Sequence, residues 1–579
     1  MLKYQKELFR YVMIIFSLGF SSWESVGEEA DLIFRGGKVV TVDSAFTIAE
    51  AIAVKRDRIL AVGKNDDVLQ TRGANTKVVD LAGATVLPGL IDSHTHPTPA
   101  SLIEFDHEVP AMETIADVLE YVKTRAKALG AGKWVVIKQV FITRLKDQRY
   151  PTLAELDRAA PGNPVVFATG PDASVNSLAL KLSGIDRGYR IEGPGKIERD
   201  AATGEPTGIL RNCTRLMKIE PAEREPSERD IERRLIELFQ DYHSVGLTAV
   251  IDRDAKRADI ERYRRLRASG AVKIRLGISA DVETQGSIES IRNEIRRIAA
   301  DPLVQGDASL RIIGIKTFLD GGMLTGSAYM SRPWGVSKIY AIDDPAYRGE
   351  LFIPRDRLIS IVRAAVEARL QFTAHSVGDG AVSALLDAYE EVNQSIPIQK
   401  TRPCITHSNF MSRDSIDRAA RLGIVVDIQP AWLYLDTKTL VAHFGVDRLR
   451  YFQPLKSLFE ANVVVGGGSD HMQKIGSMRS INPYNPFLGM WIAITRSARG
   501  YEGPLHPEQK CTREQAIKMY TINNAKLLFL EDQIGSIEAG KLADFAIIDH
   551  DILMCPEDQI REIQVKHVYL GGTPVFTKR

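Results

Sequence analysis

The sequence predicts an α/β protein built on a (β/α)₈, TIM-like barrel, with a composite β-sandwich from both termini and an insertion after the first barrel strand. Three observations predict this fold: eight apolar segments that mostly alternate with amphipathic helical stretches, a long gap after the first segment, and paired strand-like segments at both ends. Near-continuous apolar strands that alternate with helices are typical of a parallel sheet buried on both faces, and eight such units close a barrel. The predicted barrel strands are 84–96, 247–252, 272–279, 311–320, 370–377, 403–409, 424–430 and 462–470.

Amphipathic stretches between the later segments supply the helices of the barrel. The patterns at 355–369, 379–392 and 413–423 each predict one helix. The gap at 97–246 is too long for a single crossover, so it predicts an inserted subdomain. Two strand-like runs, at 133–140 and 163–170, lie inside it.

The two ends of the chain carry similar β patterns. Segments 30–43 and 51–63 are predicted as hairpins, and 543–551 and 565–577 resemble them, with a Gly-Gly turn in the last segment. Neither end has enough strands for a stable sheet by itself. The predicted boundaries are therefore 28–83 with 531–579 for one composite β-domain, and 84–530 for the barrel.

The first 27 residues have the pattern of a signal peptide. Three basic residues precede an apolar run at 11–20, and Ser25 and Gly27 stand at positions −3 and −1 of a cleavage site. The run is too short to span a bilayer. The predicted location is periplasmic or secreted if 1–27 is a signal peptide, and cytoplasmic otherwise.

Composition excludes several classes of function. The formal net charge is +1, with 44% hydrophobic and 26% charged residues, so nothing indicates a nucleic-acid partner. Four widely spaced cysteines without a CxxC pair predict neither a disulfide framework nor a zinc knuckle. No segment after the N-terminus has the length of a membrane helix. We expect a small-molecule substrate, and the sequence leaves a monomer and a homodimer open.

Polar side chains stand at the ends of five predicted barrel strands. Alternate residues of a strand face the same side, so both histidines of the first strand are expected to point inward. The carboxyl ends of barrel strands converge on the active-site mouth. Imidazole is a good ligand for zinc, and a carboxylate neutralises part of the charge of the ion. The set therefore predicts a site for one or two divalent metal ions, with Zn²⁺ as the favoured metal. The set consists of His94, His96, Lys316, His375, His407 and Asp470.

Each member of this set also has a simpler interpretation. A single histidine in an apolar strand is more often a hydrogen-bonded core residue than a ligand, and Asp470 alone would fit a turn after the glycine run at 466–468. The chain has 11 histidines, and four of them stand at strand ends of one predicted barrel. This coincidence favours the metal site.

Lys316 needs an explanation of its own within the set. A buried, unpaired ammonium is costly and would repel a metal ion, whereas burial makes the neutral amine accessible. A neutral lysine can form a Schiff base with a carbonyl substrate or capture CO₂ as a carbamate. Because four histidines and an aspartate are expected nearby, the anionic carbamate is favoured.

Sequence motifs along most of the chain carry a family resemblance. They are VLPGLIDSHTHP (86–97), IKTFLDGG (315–322), AHSVGDGAV (374–382), ITHS (405–408), GGSD (467–470), YTINNAKLL (520–528) and GSIEAGKLADFAIID (535–549). The chain resembles the amidohydrolase superfamily and, within it, the amidohydrolase 3 group that includes N-substituted formamide deformylases. The resemblance implies that the six residues above are metal ligands and that Lys316 is carboxylated.

Three positions depart from the family pattern. Pro171 stands where a GHxxxVN histidine is usual, Thr406 where glutamate precedes the sixth-strand histidine, and Asn212 where glutamate is common. Proline offers no donor, so we expect simple N-substituted formamides to be poor substrates unless Asp172 or a neighbouring loop replaces the histidine.

The predicted function is hydrolysis of a non-peptide C–N bond, of amide type, by metal-activated hydroxide, with Asp470 as the proton shuttle. Asn176, Asp320 and Arg496 are the predicted substrate contacts, with turn capping and surface pairing as their simpler interpretations. A Schiff-base lyase that uses Lys316, and a non-catalytic binding or regulatory protein on the same fold, are the alternatives. A cyclic deaminase is a variant within the hydrolase class.

Overall fold

The structure is a computed structural model that describes residues 28–578, except 139, 170–171, 194 and 221–223. The signal peptide predicted at 1–27 and the position of Pro171 lie outside the described residues, so both remain predictions.

The barrel has the predicted architecture. Eight parallel strands pair in chain order, each with the next. The barrel strands, referred to below as the first to the eighth, are Leu90–Thr95, Leu247–Ala255, Arg275–Asp281, Leu310–Phe318, Gln371–Ser376, Cys404–His407, Val425–Ile428 and Val464–Gly467.

Backbone hydrogen bonds just beyond the eighth strand join it to the first. The amide of Asp470 donates to the carbonyl oxygen of His94 at 2.8 Å, and the amide of His96 donates to that of His471 at 2.8 Å. These two hydrogen bonds hold His94 and His96 next to Asp470.

Helices cover the outside of the barrel, and those predicted at 355–369, 379–392 and 413–423 are confirmed. Glu228–Ser244 precedes the second strand. The helices that follow the second strand are Arg257–Ala268, Ile288–Ala299, Arg355–Glu367, Asp379–Asn393, Arg413–Leu422, Pro430–Phe444, Leu455–Glu460, Pro486–Thr495, Arg513–Met519 and Ile522–Leu527.

Strands from both ends of the chain form two further sheets, which pack through a common apolar core that includes Phe34, Ile52 and Phe545. The four-stranded sheet contains Arg58–Gly63, Ala51–Lys55, Ala30–Arg35 and Arg72–Asp80; the short helix Asn65–Leu69 lies between two of these strands. The six-stranded sheet contains Thr573–Thr577, Val565–Leu570, Phe545–Ile548, Thr85–Pro88, Lys38–Val40 and Ile48–Ala49.

Two of the predicted hairpins are confirmed, and one is wrong. Antiparallel pairs form within 51–63 and within 565–577. The two strands inside 30–43 instead belong to different sheets. Gly36 has a left-handed backbone, with φ of 71°, and a Cβ on Gly37 would lie 2.5 Å from the Leu81 side chain, so this Gly-Gly pair carries the chain from one sheet to the other.

The strand predicted at 84–96 is divided in two at Gly89. Thr85–Pro88 belongs to the six-stranded sheet, and Leu90–Thr95 is the first barrel strand. Pro88 has no N–H with which to continue the ladder, and a Cβ on Gly89 would lie 2.2 Å from Oγ1 of Thr248. Apolar residues on both sides of this break hid it in the sequence.

The insertion forms its own five-stranded sheet, which includes the two strands expected within it. Its helices are Pro97–Leu102, Ile115–Leu129, Leu153–Ala159 and Ser177–Ser183. In sheet order the strands are Lys196–Arg199, Pro206–Arg211, Asp172–Val175, Val165–Thr169 and Val135–Lys138.

Over the described ranges, no helix combines the length and apolarity that crossing a membrane requires.

Candidate metal centre

A cavity of about 900 Å³ opens at the carboxyl ends of the barrel strands. Five of the six predicted ligands line it, and the sixth, His94, is buried directly beneath, with its Nε2 atom 3.2 Å from Nε2 of His96. The residues that line the cavity are His96, Lys316, His375, His407 and Asp470. The structure thus brings together side chains from five strands that span most of the chain.

Three of these side chains form a compact cluster of metal-compatible atoms. Oδ1 of Asp470 lies 3.4 Å from Nε2 of His94 and 3.1 Å from Nε2 of His96. All three ligand atoms lie within 4.8 Å of one another. Asp470 has a left-handed backbone, with φ of 55°, a conformation that non-glycine residues seldom adopt outside special sites. Two imidazoles and one carboxylate at this separation suit a divalent ion.

His375 and His407 extend this cluster across the cavity floor. The imidazole of His407 stacks on that of His94, with ring centroids 4.8 Å apart, and meets His375 edge-on at 4.5 Å. Burial and the neighbouring Lys316 lower the pKa of His375 to about 3, and burial with the adjacent His375 holds the pKa of His407 well below its usual range. Neutral imidazoles keep the lone pair that a metal ligand needs.

Two residues that the sequence reasoning missed orient these histidines. Nδ1 of His94 donates to Oδ2 of Asp427 at 2.9 Å, and Nδ1 of His407 donates to Oε1 of Gln429 at 2.8 Å. The Gln429 amide in turn donates to Oδ1 of Asp427 at 2.8 Å. With both Nδ1 atoms engaged, the Nε2 atom of each ring is left with the lone pair. Asp427 lies on the seventh strand and Gln429 directly follows that strand. Their spacing of two residues is the same as that of His94 and His96, and it is the sequence signal that could have identified them.

Arg253 supplies the positive charge beneath this network. Its fully buried guanidinium lies 3.4 Å from Oδ2 of Asp427 and donates to the Ser93 carbonyl at 3.0 Å and to Gln371 Oε1 at 2.8 Å. An opposite charge at this distance keeps the buried Asp427 carboxylate compensated.

The Lys316 amine lies over an aromatic ring in the cavity wall. Its Nζ atom is 4.4 Å from the ring centroid of Phe318, and among the described residues no side chain or carbonyl forms a hydrogen bond or ion pair with it. Burial lowers the pKa of Lys316, against the opposing charges of Asp254 and Asp470. The neutral amine required for either a carbamate or a Schiff base is therefore accessible.

Two of the predicted substrate contacts do not reach the cavity. Oδ1 of Asn176 accepts from the amides of Val165 at 2.9 Å and Ala179 at 3.0 Å, so this residue caps a helix inside the insertion. The guanidinium of Arg496 is buried against three backbone carbonyls, those of Phe452, Gln453 and Leu505. The structure therefore places both side chains away from the cavity, with their polar groups satisfied by backbone groups.

The third predicted contact, Asp320, does lie in the cavity wall, but its carboxylate is occupied. The two oxygens accept from the backbone amides of Tyr329, Val377 and Gly378 at 2.9 to 3.0 Å. Burial raises the pKa of Asp320 to about 7. Its observed contacts make it a positioning residue that ties together the loops after the fourth and fifth strands.

The residues that depart from the family pattern have different environments. Asn212 lines the cavity. Thr406 is buried inside the barrel, where its hydroxyl lies 2.6 Å from that of Thr373. The carboxylate of Asp172 accepts hydrogen bonds from Arg211 at 3.3 Å and from the Asn212 amide at 2.8 Å.

Comparison with known proteins identifies the family. The family model described as "Amidohydrolase family" matches residues 77–576. The chain belongs to the amidohydrolase family. This amidohydrolase is 29% identical to the N-substituted formamide deformylase of Arthrobacter pascens, with 94% of this chain and 97% of that protein covered. It is 26% identical to YtcJ of Bacillus subtilis, a protein named for the same family, over 94% of this chain and 99% of that one.

Solved structures support the fold of this amidohydrolase. A metal-dependent hydrolase from Pyrococcus horikoshii superposes with a TM-score of 0.65 at 20% identity, over 91% of this chain and 99% of that one. Family membership and the cluster of His94, His96 and Asp470 together identify the protein as a metal-dependent hydrolase.

Proposed function

We propose that this amidohydrolase cleaves a non-peptide C–N bond, of amide type, in a small carbonyl substrate. The observation that carries the proposal is the position of the Asp470 carboxylate, 3.1 and 3.4 Å from two histidine Nε2 atoms on the floor of a cavity large enough for a small molecule. The site would hold one or two divalent ions, with Zn²⁺ as the favoured metal. The proposed ligands are His94, His96, Lys316 as its carbamate, His375, His407 and Asp470.

The metal, when bound, lowers the pKa of a coordinated water and polarises a carbonyl oxygen. The protein's own proton carrier is Asp470. Burial raises the pKa of Asp470 against the opposing effect of His96, which brings the carboxylate closer to the range where it can accept a proton. In the proposed mechanism Asp470 takes the proton of the attacking water and returns it to the leaving nitrogen.

The cavity wall favours a substrate with a bulky apolar substituent. Phe318 is 41% exposed at the end of the fourth strand and lies beside both Lys316 and His375. Exposed aromatic surface inside a concave site gains free energy when a ligand covers it. The other large apolar residues of the wall are Phe141, Met323, Leu324, Phe352, Trp432 and Met472.

The two alternatives from other classes are not favoured. A Schiff-base lyase would place its lysine in a pocket free of metal ligands, whereas Lys316 shares its cavity with three histidines and Asp470. A purely binding protein would not need a complete ligand set held by buried hydrogen bonds.

The test is metal content together with turnover on a panel of amides. Purified protein should hold one or two zinc-like ions per chain and hydrolyse at least one of N-benzylformamide, N-benzylacetamide, acetanilide or p-nitroacetanilide. His94→Ala should lose most of the metal. His550→Ala is the matched control, because His550 lies outside the cavity and is bonded to Asp549. Full metal occupancy in His94→Ala would refute the assignment of the site.

Asp470→Asn tests the proton carrier. Turnover should fall by about 10²- to 10⁴-fold, the range expected for loss of general acid–base catalysis, and by more if the metal also binds less tightly. Near-normal turnover in this variant would remove Asp470 from the mechanism.

A further inference from the structure

The backbone of Asp470 is held by hydrogen bonds on both sides. Its amide donates to the His94 carbonyl at 2.8 Å, and its carbonyl oxygen accepts from Nδ2 of Asn482 at 2.7 Å. With φ of 55°, Asp470 has a left-handed backbone, which costs a non-glycine residue free energy and persists only where its surroundings enforce it. The position of the Asp470 carboxylate therefore depends on the side chain of Asn482 as well as on the barrel strands.

The neighbours of the Asn482 amide determine its orientation. The residue is fully buried, and its Oδ1 atom accepts from Nη1 of Arg144 at 3.1 Å. A guanidinium can only donate and a backbone carbonyl can only accept, so one orientation of the amide satisfies both neighbours. Arg144 thus ensures that Nδ2 of Asn482 faces the Asp470 carbonyl.

The guanidinium of Arg144 is itself held by several contacts. Its Nε and Nη2 atoms form a bidentate ion pair with the Asp436 carboxylate, at 3.2 and 3.0 Å, and both side chains are buried. Nη1 also donates to the Ile481 carbonyl at 2.8 Å. A buried bidentate pair adds geometric specificity, so Arg144 presents Nη1 to Asn482 from a fixed position.

These contacts join three parts of the chain. Arg144 belongs to the insertion, Asp436 to the helix Pro430–Phe444 after the seventh strand, and Asn482, 338 residues from Arg144, to the loop after the eighth strand. The Arg144 guanidinium also lies 5.0 Å from the ring centroid of Phe141, which lines the cavity. Arg144 thus connects the cavity wall that the insertion supplies to the segment that carries Asp470.

We propose that Asn482 and Arg144 are positioning residues that hold the Asp470 carboxylate in place for proton transfer, so that the insertion takes part in catalysis. The proposal rests on the proposed function, in which Asp470 carries the proton. A proton carrier must stay within hydrogen-bond reach of the groups it serves, and a misplacement of about 1 Å can cost roughly 10²-fold in rate. Loss of the Asn482 contact should therefore lower kcat and leave substrate binding unchanged.

The first test is Asn482→Asp, which keeps the shape of the side chain and its bond from Arg144 but replaces the donor to the Asp470 carbonyl by an acceptor. At saturating metal we expect kcat for the best amide of the panel to fall by about 10- to 100-fold, with KM within about twofold of the wild type. Asn163→Asp is the matched control and should keep wild-type kcat, because Nδ2 of Asn163 also donates to backbone carbonyls but lies outside the cavity. An Asn482→Asp enzyme with kcat within about twofold of the wild type, or with a loss in KM alone, would overturn the proposal.

The second test reaches the same contact from the insertion and keeps the proposal falsifiable if Asn482→Asp misfolds. Arg144→Lys keeps a positive charge opposite Asp436 but lacks the planar fork that bonds Asp436 and Asn482 together. We expect the same loss in kcat with an unchanged KM. Arg418→Lys is the control and should keep wild-type kcat, because Arg418 forms a similar buried pair with Glu390 between two outer helices. Wild-type kcat in Arg144→Lys would overturn the role of the insertion.

The double variant separates positioning from a general loss of packing. If Arg144 acts through Asn482, the kcat of Arg144→Lys with Asn482→Asp should lie within about twofold of the slower single variant. Losses that multiply would mean that the two residues act independently and would overturn the proposal. Near-normal turnover in Asp470→Asn, or a wild-type protein without metal and without amide turnover, would instead contradict the proposed function.

Discussion

The carboxylate of Asp427 accepts a hydrogen bond from Nδ1 of His94 at 2.9 Å, although 333 residues separate the two in the chain. Both side chains are fully buried. The contact fixes the imidazole so that Nε2 points towards His96 and Asp470. A carboxylate behind a metal-binding histidine sets its orientation and raises its basicity, so Asp427 should act on metal binding without touching the metal.

We therefore predict that Asp427→Asn weakens metal binding by about 10- to 100-fold. Asp427 accepts from His94 on one oxygen and from Gln429 and Ser93 on the other, so an amide there must turn a donor towards one of these partners. Competition with a chelator measures the affinity. Asp356→Asn, at a side chain that is 99% exposed, is the control. Wild-type affinity in Asp427→Asn would show that the contact is only structural.

Lys316→Ala should abolish turnover, and a short carboxylic acid such as propionate should restore part of it by taking the place of the carbamate. Wild-type protein equilibrated with ¹³C-bicarbonate should show a carbamate carbon signal that Lys316→Ala lacks. Lys256→Ala is the matched comparison: Lys256 lines the same cavity but is paired with Asp281 at 2.8 Å, so carboxylic acids should not rescue its variant. Trapping of substrate on Lys316 by borohydride would instead favour the lyase.

Pro171→His should improve kcat/KM for N-benzylformamide, which we expect to be a poor substrate of the wild type. The gain should be that of one uncharged hydrogen bond, roughly 0.5–1.5 kcal/mol or about 2- to 13-fold. Pro171→Ala is the control, because it removes the proline ring without adding a side-chain hydrogen-bond donor. Efficient wild-type turnover that the histidine leaves unchanged or worsens would show that position 171 does not set substrate choice.

Gly89→Ala should destabilise the junction between the first barrel strand and the six-stranded sheet. The added Cβ would lie within 3 Å of three atoms of Thr248, a stiff β-branched side chain on the second strand. We expect a loss of about 1–3 kcal/mol in unfolding free energy, measured by chemical denaturation. Gly162→Ala is the control, because its new Cβ would meet its nearest neighbour at 3.7 Å. Equal stability of the two variants would contradict this account of the break.

Much of the site could be predicted because strands impose a simple geometry on it. The spacing of His94 and His96 puts both on one face, and barrel topology carries His375, His407 and Asp470 to the same edge. Apolar runs and helical periodicity likewise predicted all eight strands in order. These inferences need only the local periodicity of the backbone, which can be read from the sequence, and the rule that the carboxyl ends of barrel strands converge on one mouth.

Polar residues outside that geometry were harder to place. Nothing in the local sequence distinguishes an arginine that binds a substrate from Arg496, which is buried against three backbone carbonyls. The Gly-Gly turn at residues 36 and 37 has the composition of a hairpin, yet its two strands join different sheets. Two of the three carbonyls that Arg496 binds lie 43 and 44 residues away in the chain, and each strand beside the Gly-Gly turn pairs with strands other than its neighbour.

The sequence by itself determined the order of strands and helices, the residues at the strand ends and the family to which the protein belongs. Only the tertiary structure decided which nitrogen of His94 and of His407 is held by a hydrogen bond, and that Asp427 and Gln429 hold those rings. The physical reason is that periodicity acts over a few neighbouring residues. A hydrogen bond depends on the distance between two atoms that can lie far apart in the chain, as the 333 residues between His94 and Asp427 show, and that distance is set only once the barrel has closed.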